Sequence, residues 1–480
     1  MTDKYFDVII VGAGISGIGT AVHLQEQCPD KSYAILEGRS CLGGTWDLFR
    51  YPGIRSDSNM LTMAYRFKPW RGTNTTADGA SILNYLRETA VEYNINQHIR
   101  YNQHVTQASW SSTLKSWTIQ TKAGEYFTCS FLLLCSGYYS YEAGYTPDFK
   151  GRAQFQGTII HPQKWPKGFD YADKKIVVVG SGATAVTLIP ELAKKAQHVT
   201  MLQRSATYMS PLPSEDALGK FVRKYLPEKL AYALLRQRSI FFGQFFYRQT
   251  RKNPEKVKER MLSMVREELP PDYDIDTHFT PTYNPWDQRV CLVPDGDLFQ
   301  AIRDGTASVV TSHIDQFIEN GILLKSGEEL EADVIITATG LKLEVMGGIK
   351  FIVDNEPIDF AKTISYKGLM FSTIPNLVYT FGYINASWTL GADLTAEFIC
   401  NLINHMAQTG TKQCTPTYPE SAPEAVEPWI QNFSSGYMQR SLHLLPKQTT
   451  TAPWINTQDY DQDKKMIGRA PIENQALIFT

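Results

Sequence analysis

The sequence predicts an α/β chain of two parallel-sheet lobes with a helical insertion, and three observations carry that prediction. Two short β-branched runs, DVIIV at 7–11 and KIVVV at 175–179, each enter a glycine-rich loop. Each loop is followed by a helical stretch and a second apolar run, the order of a parallel βαβ unit. Residues 209–287 lose this alternation and read as helices punctuated by Pro211, Pro213, Pro254, Pro270 and Pro271. At 480 residues the chain is too long for one ordinary core, so more than one lobe is expected.

The first loop reads Gly12-Ala13-Gly14-Ile15-Ser16-Gly17 and leads through a helix to YAILE, ending at Glu37. This is the full G-x-G-x-x-G dinucleotide pattern in its βαβ context. Gly12 allows the tight turn, Gly14 lets the backbone approach a pyrophosphate, and Gly17 lets the helix close on the strand. The helix N-terminus faces the phosphates, and Glu37 is placed to accept from ribose hydroxyls. The carboxylate disfavours a 2′-phosphate, so this site suits FAD or NAD.

The second loop reads Gly180-Ser181-Gly182-Ala183-Thr184-Ala185, with alanine in the third glycine's place, as the pattern allows. Its second strand ends in Gln203-Arg204-Ser205. Where the first site has Glu37, this one is read as having Arg204, whose guanidinium suits a 2′-phosphate. The pair of sites therefore predicts two Rossmann-like domains, FAD on the first and NADPH on the second, with hydride transfer between them. The expected boundaries are 1–145 with 342–480 for the FAD domain, 150–208 with 288–341 for the NADPH domain, and 209–287 for the insertion.

Composition narrows the partners. The formal net charge is −2, and nothing global points to nucleic acid. Seven scattered cysteines form no C-x-x-C pair, so neither a disulfide reductase nor a metal site is expected, and a reducing cytoplasm fits. No apolar stretch reaches the ~18 residues of a spanning helix. Residues 219–268 hold thirteen Lys/Arg against five Asp/Glu among many aromatics. That stretch reads either as a surface for peripheral membrane contact or as a solvated face over a core.

Between the two loops lies FQGTIIHPQKWP, 155–166, with Phe155, Gly157, His161, Trp165 and Pro166 in place. It resembles the F-x-G-x-x-x-H-x-x-x-W-P/D fingerprint of type I Baeyer–Villiger monooxygenases. GGTWDLFRYPGIRSD, 43–57, resembles a second pattern of that family, and Ala338-Thr339-Gly340 a third. Further runs such as YNPWDQRVCLVPDGDLF and YTFGYINASWTL are similar to the subgroup containing the ethionamide-activating monooxygenase. The resemblance spans nearly the whole chain.

It implies an enzyme that takes hydride from NADPH onto FAD, activates O2 as a C4a-peroxyflavin and inserts one oxygen atom into ketones, giving esters or lactones. Sulfides or thioamides would be S-oxygenated. It also implies that Arg289 is the catalytic cation and Asp57 its partner. Ser16, Thr45, Trp46, Asp47, Leu48, Arg55, Ser56, Asp57 and Val105 would contact the flavin nucleotide, and the amides around Thr389 and Leu390 would face the flavin ring. His161 is expected to be conformational, or simply to cap a turn. Two positions depart from the family: Pro162 stands where threonine is usual, and Gln288 stands where some members have lysine. Heteroatom oxygenation as the main task, an NADPH:acceptor reductase or oxidase, and a silent NADPH-responsive protein remain the alternatives.

Overall fold

The computed structural model describes residues 4–419 and 426–480. The DVIIV run lies within β1 (Tyr5–Val11), which pairs in parallel with β2 (Tyr33–Leu36) on one side and with Tyr126–Leu134 on the other. Helix α1 (Ile15–Gln27) connects β1 to β2. The sheet is buried on both faces, which is why Val8, Ile9, Ile10 and Leu36 are wholly apolar and inaccessible. It extends through Ser116–Thr121 and Val105–Ser111 to Lys350–Val353, and Leu377–Tyr379 pairs with Tyr126–Leu134. One sheet thus joins strands from both ends of the chain.

The second sheet orders Ala307–Thr311, β4 (His198–Gln203), β3 (Lys175–Val179), Val334–Thr337 and Thr158–Ile160, all parallel. Helix α2 (Ala183–Leu192) runs between β3 and β4. Thr158–Ile160, inside the fingerprint segment, is an edge strand of this sheet, which the mixed composition of FQGTIIHPQKWP had hidden.

Most of the insertion is helical, with α3 (Ala217–Tyr225), α4 (Glu228–Lys252) and α5 (Pro254–Glu268), but the expected start at 209 is not: Met209–Leu212 is a strand paired in parallel with Cys291–Pro294. Its attachment is not to the second lobe alone. Tyr232 and Leu235 of α4 join the core of the first lobe. The Tyr232 hydroxyl donates to the carbonyls of Ala64 and Tyr65, and buried Arg236 donates to those of Leu61, Thr62 and Ala64 and pairs with Asp393. A buried cation held by three carbonyls and a carboxylate fixes the helix in place. Among the described residues no helix is long and apolar enough to cross a membrane.

Candidate functional site

Gly12 sits at φ +103°, and a Cβ there would stand 2.6 Å from the Cys135 carbonyl oxygen. Only glycine lets β1 turn so closely beside the next strand. Gly14 caps α1 without any side-chain cap, leaving the helix's first amides free to face an anion. Gly17 lies behind the loop against the Gly12 carbonyl. The Gly43–Gly44 turn closes over it, with the Gly43 amide donating to the Ala13 carbonyl at 2.9 Å.

These elements enclose a cavity of about 540 Å³ at the carboxyl ends of β1, β2 and Tyr126–Leu134. One part of its wall holds Glu37, His104 and Val105; another holds Trp46, Asp57, Arg289, Ala386 and Trp388. Glu37 is buried, accepting from the Ala13 amide at 2.7 Å and the Arg39 amide at 2.9 Å. Burial pushes its carboxyl above the usual range, partly offset by those two amides. Its remaining lone pairs border the cavity.

Of the sequence-predicted residues, Gly12, Gly14, Ser16, Glu37, Thr45, Trp46, Arg55, Ser56, Asp57 and Val105 line this cavity. The Ser16 hydroxyl accepts from Trp388 Nε1 at 2.8 Å, and the Thr45 and Tyr139 hydroxyls are bonded at 2.6 Å. Asp47 and Leu48 do not line it. Asp47 is buried beneath Arg39, Arg50 and the Cys41 thiol, which consume its carboxylate. Thr389 also lies outside: it is fully buried and donates to the Thr62 carbonyl. Leu390 lines a different cavity, and Ala386 and Trp388 take the expected place beside the first one.

Sequence reasoning missed Ser136, Tyr138, Tyr139 and Tyr141, which line the cavity just beyond Tyr126–Leu134. The rule that ligands sit at the carboxyl ends of parallel strands would have found them. Among the described residues Ser136 Oγ is buried there without a hydrogen-bond partner.

At the second loop, Gly180 has φ +132°, and a Cβ would lie 2.4 Å from the Ala338 carbonyl oxygen. This contact brings the Ala338-Thr339-Gly340 segment against the loop. Ser181 Oγ bonds Thr207 Oγ1 at 2.7 Å, and space beside Gly182 is open. Ala183 and Thr184 reach the first cavity, whereas Ser181, Gly182, Ala185, Arg204 and Ser205 line neither cavity described here.

Backbone register corrects one correspondence. The Gly12 amide donates to the Leu36 carbonyl, and the Gly180 amide donates to the Leu202 carbonyl, both at 2.8 Å. Glu37 therefore corresponds to Gln203, and Arg204 stands one residue further on. Gln203 turns inward, donating to the His278 carbonyl and Thr311 Oγ1, while Arg204 is exposed. The alternation of an extended strand sends adjacent side chains to opposite faces. The acid position is thus neutral, with a guanidinium beside it.

A second cavity, of about 500 Å³, shares Asp57, Ser58, Arg289, Leu292 and Ala386 with the first. Arg289 Nη1 donates to Asp57 Oδ2 at 3.0 Å and Nη2 reaches the Ile384 carbonyl at 3.5 Å. The Asp57 carboxylate raises the proton affinity of Arg289 further, so the guanidinium stays cationic at any working pH. Ile240, Phe246, Val290, Leu292 and Leu390 give this cavity an apolar side, while Glu215, Asp216, Arg238 and Asn385 also line it.

His161 caps the short turn Pro162–Lys164, accepting from the Gln163 amide at Nδ1. Burial lowers its proton affinity, partly offset by the Gly340 and Tyr145 backbone beside the ring. Gln163 Nε2 donates to the Ser140 carbonyl and Lys164 Nζ to that of Tyr141. The fingerprint thus grips the segment that follows the first sheet.

Comparison with known proteins agrees with this architecture. The chain superposes on a steroid monooxygenase bound to NADP with a TM-score of 0.78, at 21% identity over 99% of both chains. It superposes on OTEMO in complex with FAD and NADP with a TM-score of 0.76, at 20% identity over all of both chains. Residues 9–217 match the pyridine nucleotide-disulphide oxidoreductase family description. The fold is that of the Baeyer–Villiger monooxygenases. The chain is 51% identical to the FAD-containing monooxygenase EthA of Mycolicibacterium smegmatis, over 99% of this chain and 97% of that one. It is 44% identical to the probable FAD-binding monooxygenase AlmA of Acinetobacter baylyi, over 99% and 96%. The chain therefore belongs to the FAD-containing monooxygenases: it is a flavoprotein oxidoreductase whose cofactors are FAD and NADPH. The residues fit the flavin nucleotide, with a glycine turn that a Cβ would fill, free helix amides, and an acid poised at the cavity wall.

Proposed function

We propose that this enzyme inserts one oxygen atom from O2 into small ketones, giving esters or lactones, and also oxygenates sulfides. The observation that carries the reading is Arg289, paired with Asp57 and lining both cavities. Gly12, Gly14, Ser16 and Glu37 would hold FAD, which supplies hydride acceptance and oxygen activation when bound. Arg289 presents a fixed positive charge between that cavity and the second one, beside its apolar side chains. Negative charge developing on a substrate carbonyl oxygen would be stabilised there without reorganisation. Asp57 orients the guanidinium. Ile240, Leu292 and Leu390 lower the polarity of the wall near Arg289, which strengthens the interaction.

Gln203 and Arg204 support NADPH over NADH: the position that would bind ribose hydroxyls carries no acid, and the next residue pairs with a 2′-phosphate. His161 supports a positioning role, tying residues 138–145 to the second lobe rather than moving protons. Peripheral contact with a membrane belongs to the same reading, since the insertion walls the second cavity.

The test reduces the FAD-loaded enzyme with NADPH without oxygen, then admits oxygen with a ketone and a sulfide in competition. Ester as the main product supports the reading. Sulfoxide alone would make heteroatom oxygenation the physiological task. Hydrogen peroxide released stoichiometrically with neither product would reduce the enzyme to an oxidase.

A further inference from the structure

The outward face of α3 and α4 is strongly apolar. On α4, Leu230, Leu234, Phe241 and Phe245 recur at i, i+4, i+11 and i+15, which places them in one stripe. Each is between 49% and 61% exposed. Phe242 and Phe246 broaden the stripe. On α3, Phe221 and Tyr225 stand one turn apart and also face solvent, their rings 4.8 Å from each other. The opposite face of α4 is locked into the first lobe through Tyr232, Leu235 and Arg236, so this exposure belongs to a rigid, docked helix. A contiguous apolar surface of this kind marks an interaction site.

Charge indicates the partner. Residues 217–252 contain nine Lys/Arg and one acid, Glu228. Five of the cations are paired with carboxylates: Lys220, Arg236, Arg238, Arg248 and Arg251. Among the described residues, the other four, Arg223, Lys224, Lys229 and Lys252, have no carboxylate partner; Arg223 donates to the Arg71 and Gly72 carbonyls, while Lys224 and Lys229 flank the α3–α4 turn. Aromatic side chains interleaved with unneutralised cations suit an anionic bilayer, where rings enter the acyl boundary and cations meet headgroups. Phe246 connects this face to the interior. It is exposed with the stripe and also lines the second cavity, together with Ser239, Gly243 and Gln244 of the same helix.

We propose that the α3–α4 face docks on an anionic lipid surface and that apolar substrates enter the second cavity from the bilayer past Phe246. The inference rests on that cavity being the substrate site. The experiment is co-flotation of the FAD-loaded enzyme with phosphatidylcholine vesicles, with and without phosphatidylglycerol, alongside turnover of a short ketone in water and a long-chain ketone carried in the vesicles. Binding is expected to need the anionic lipid and to weaken with salt. The double variant Phe241→Ser/Phe245→Ser, which touches neither cavity lining, should lose at least about tenfold in vesicle binding. It should keep the short-ketone rate and lose the acceleration of the long-chain ketone by vesicles.

Wild-type enzyme that turns over the short ketone but ignores anionic vesicles at low salt overturns the docking. So does an oligomer that dissociates in the double variant, because the face would then be a contact between copies. Equal long-chain rates with and without bound vesicles overturn the delivery route. Vesicle binding without turnover of any ketone or sulfide would leave docking in place and remove the substrate reading on which delivery depends.

Discussion

Replacing Arg289 by alanine should separate cofactor binding from oxygen insertion. The Nη1–Oδ2 distance to Asp57 is 3.0 Å, and about a third of each side chain is exposed. As a contribution to folding, such a half-solvated pair is worth ~1 kcal/mol or less, so the unfolding midpoint should hardly move. Glu37 is held by the Ala13 amide and makes no bond to this pair, so FAD should remain bound. The effect on chemistry is larger. A guanidinium 4 Å from a developing anion contributes ~4 kcal/mol at an effective dielectric of ~20. Loss of one preorganised donor of this kind lowers rates by about 10²–10³. The expected variant is yellow, is reduced by NADPH, releases hydrogen peroxide on reoxidation, and forms ester about 10²–10³ more slowly. Flavin absorbance under anaerobic NADPH and chromatography of the ester give the two readings. Ester formation within a few-fold of wild type would refute the electrostatic argument. Loss of FAD would show instead that Arg289 is structural.

Three other perturbations follow from the geometry. Arg204→Ala should raise the KM for NADPH by about 10–100-fold with little change for NADH, since one charge-assisted phosphate contact is lost; equal effects on both nucleotides would reject the assignment. Gly12→Ala should abolish FAD retention or soluble folding, because its Cβ would lie 2.6 Å from the Cys135 carbonyl in a left-handed backbone, and a yellow, active variant would contradict this. Lys367 is buried with its Nζ 5.3 Å from the Tyr366 and Phe398 rings and, among the described residues, without a hydrogen-bond partner, and burial lowers its pKa to about 8 from 10.5. The folded chain sheds this proton before the unfolded one, so its destabilising contribution, ~3 kcal/mol from that difference, is full below pH 8 and fades as pH rises toward 10.5. Lys367→Met should therefore stabilise the protein in denaturant titrations at pH 7 and much less at pH 10, whereas a pH-independent difference would place the cause elsewhere.

Both βαβ units and their glycine loops were legible in the sequence because they depend on local facts. An apolar strand, a turn only glycine tolerates and a helix N-terminus lie within about thirty residues of each other. The segments 43–57 and 155–166 were legible as patterns, and Arg289 and Asp57 as members of them. Which side chain shares a position with Glu37 was not legible, since counting to the strand end selects Arg204 while the amide–carbonyl register at Leu36 and Leu202 selects Gln203. Asp47 likewise sits inside a recognised pattern, yet Arg39 and Arg50, three to eight residues away, draw its carboxylate off the cavity. Linear sequence does not say which of several nearby charges will pair.

By itself, the sequence determined the two nucleotide lobes, the helices that fill most of 209–287 and the excess of cations along them. The tertiary structure decided that α4 packs on the first lobe, that Arg289 and Asp57 meet across 232 residues, and that they line both cavities. The physical reason is the range of the interactions. Turn conformation and strand burial are set by neighbours along the chain. A shared cavity wall is made by side chains from distant segments, and only the packing of the whole chain brings them together.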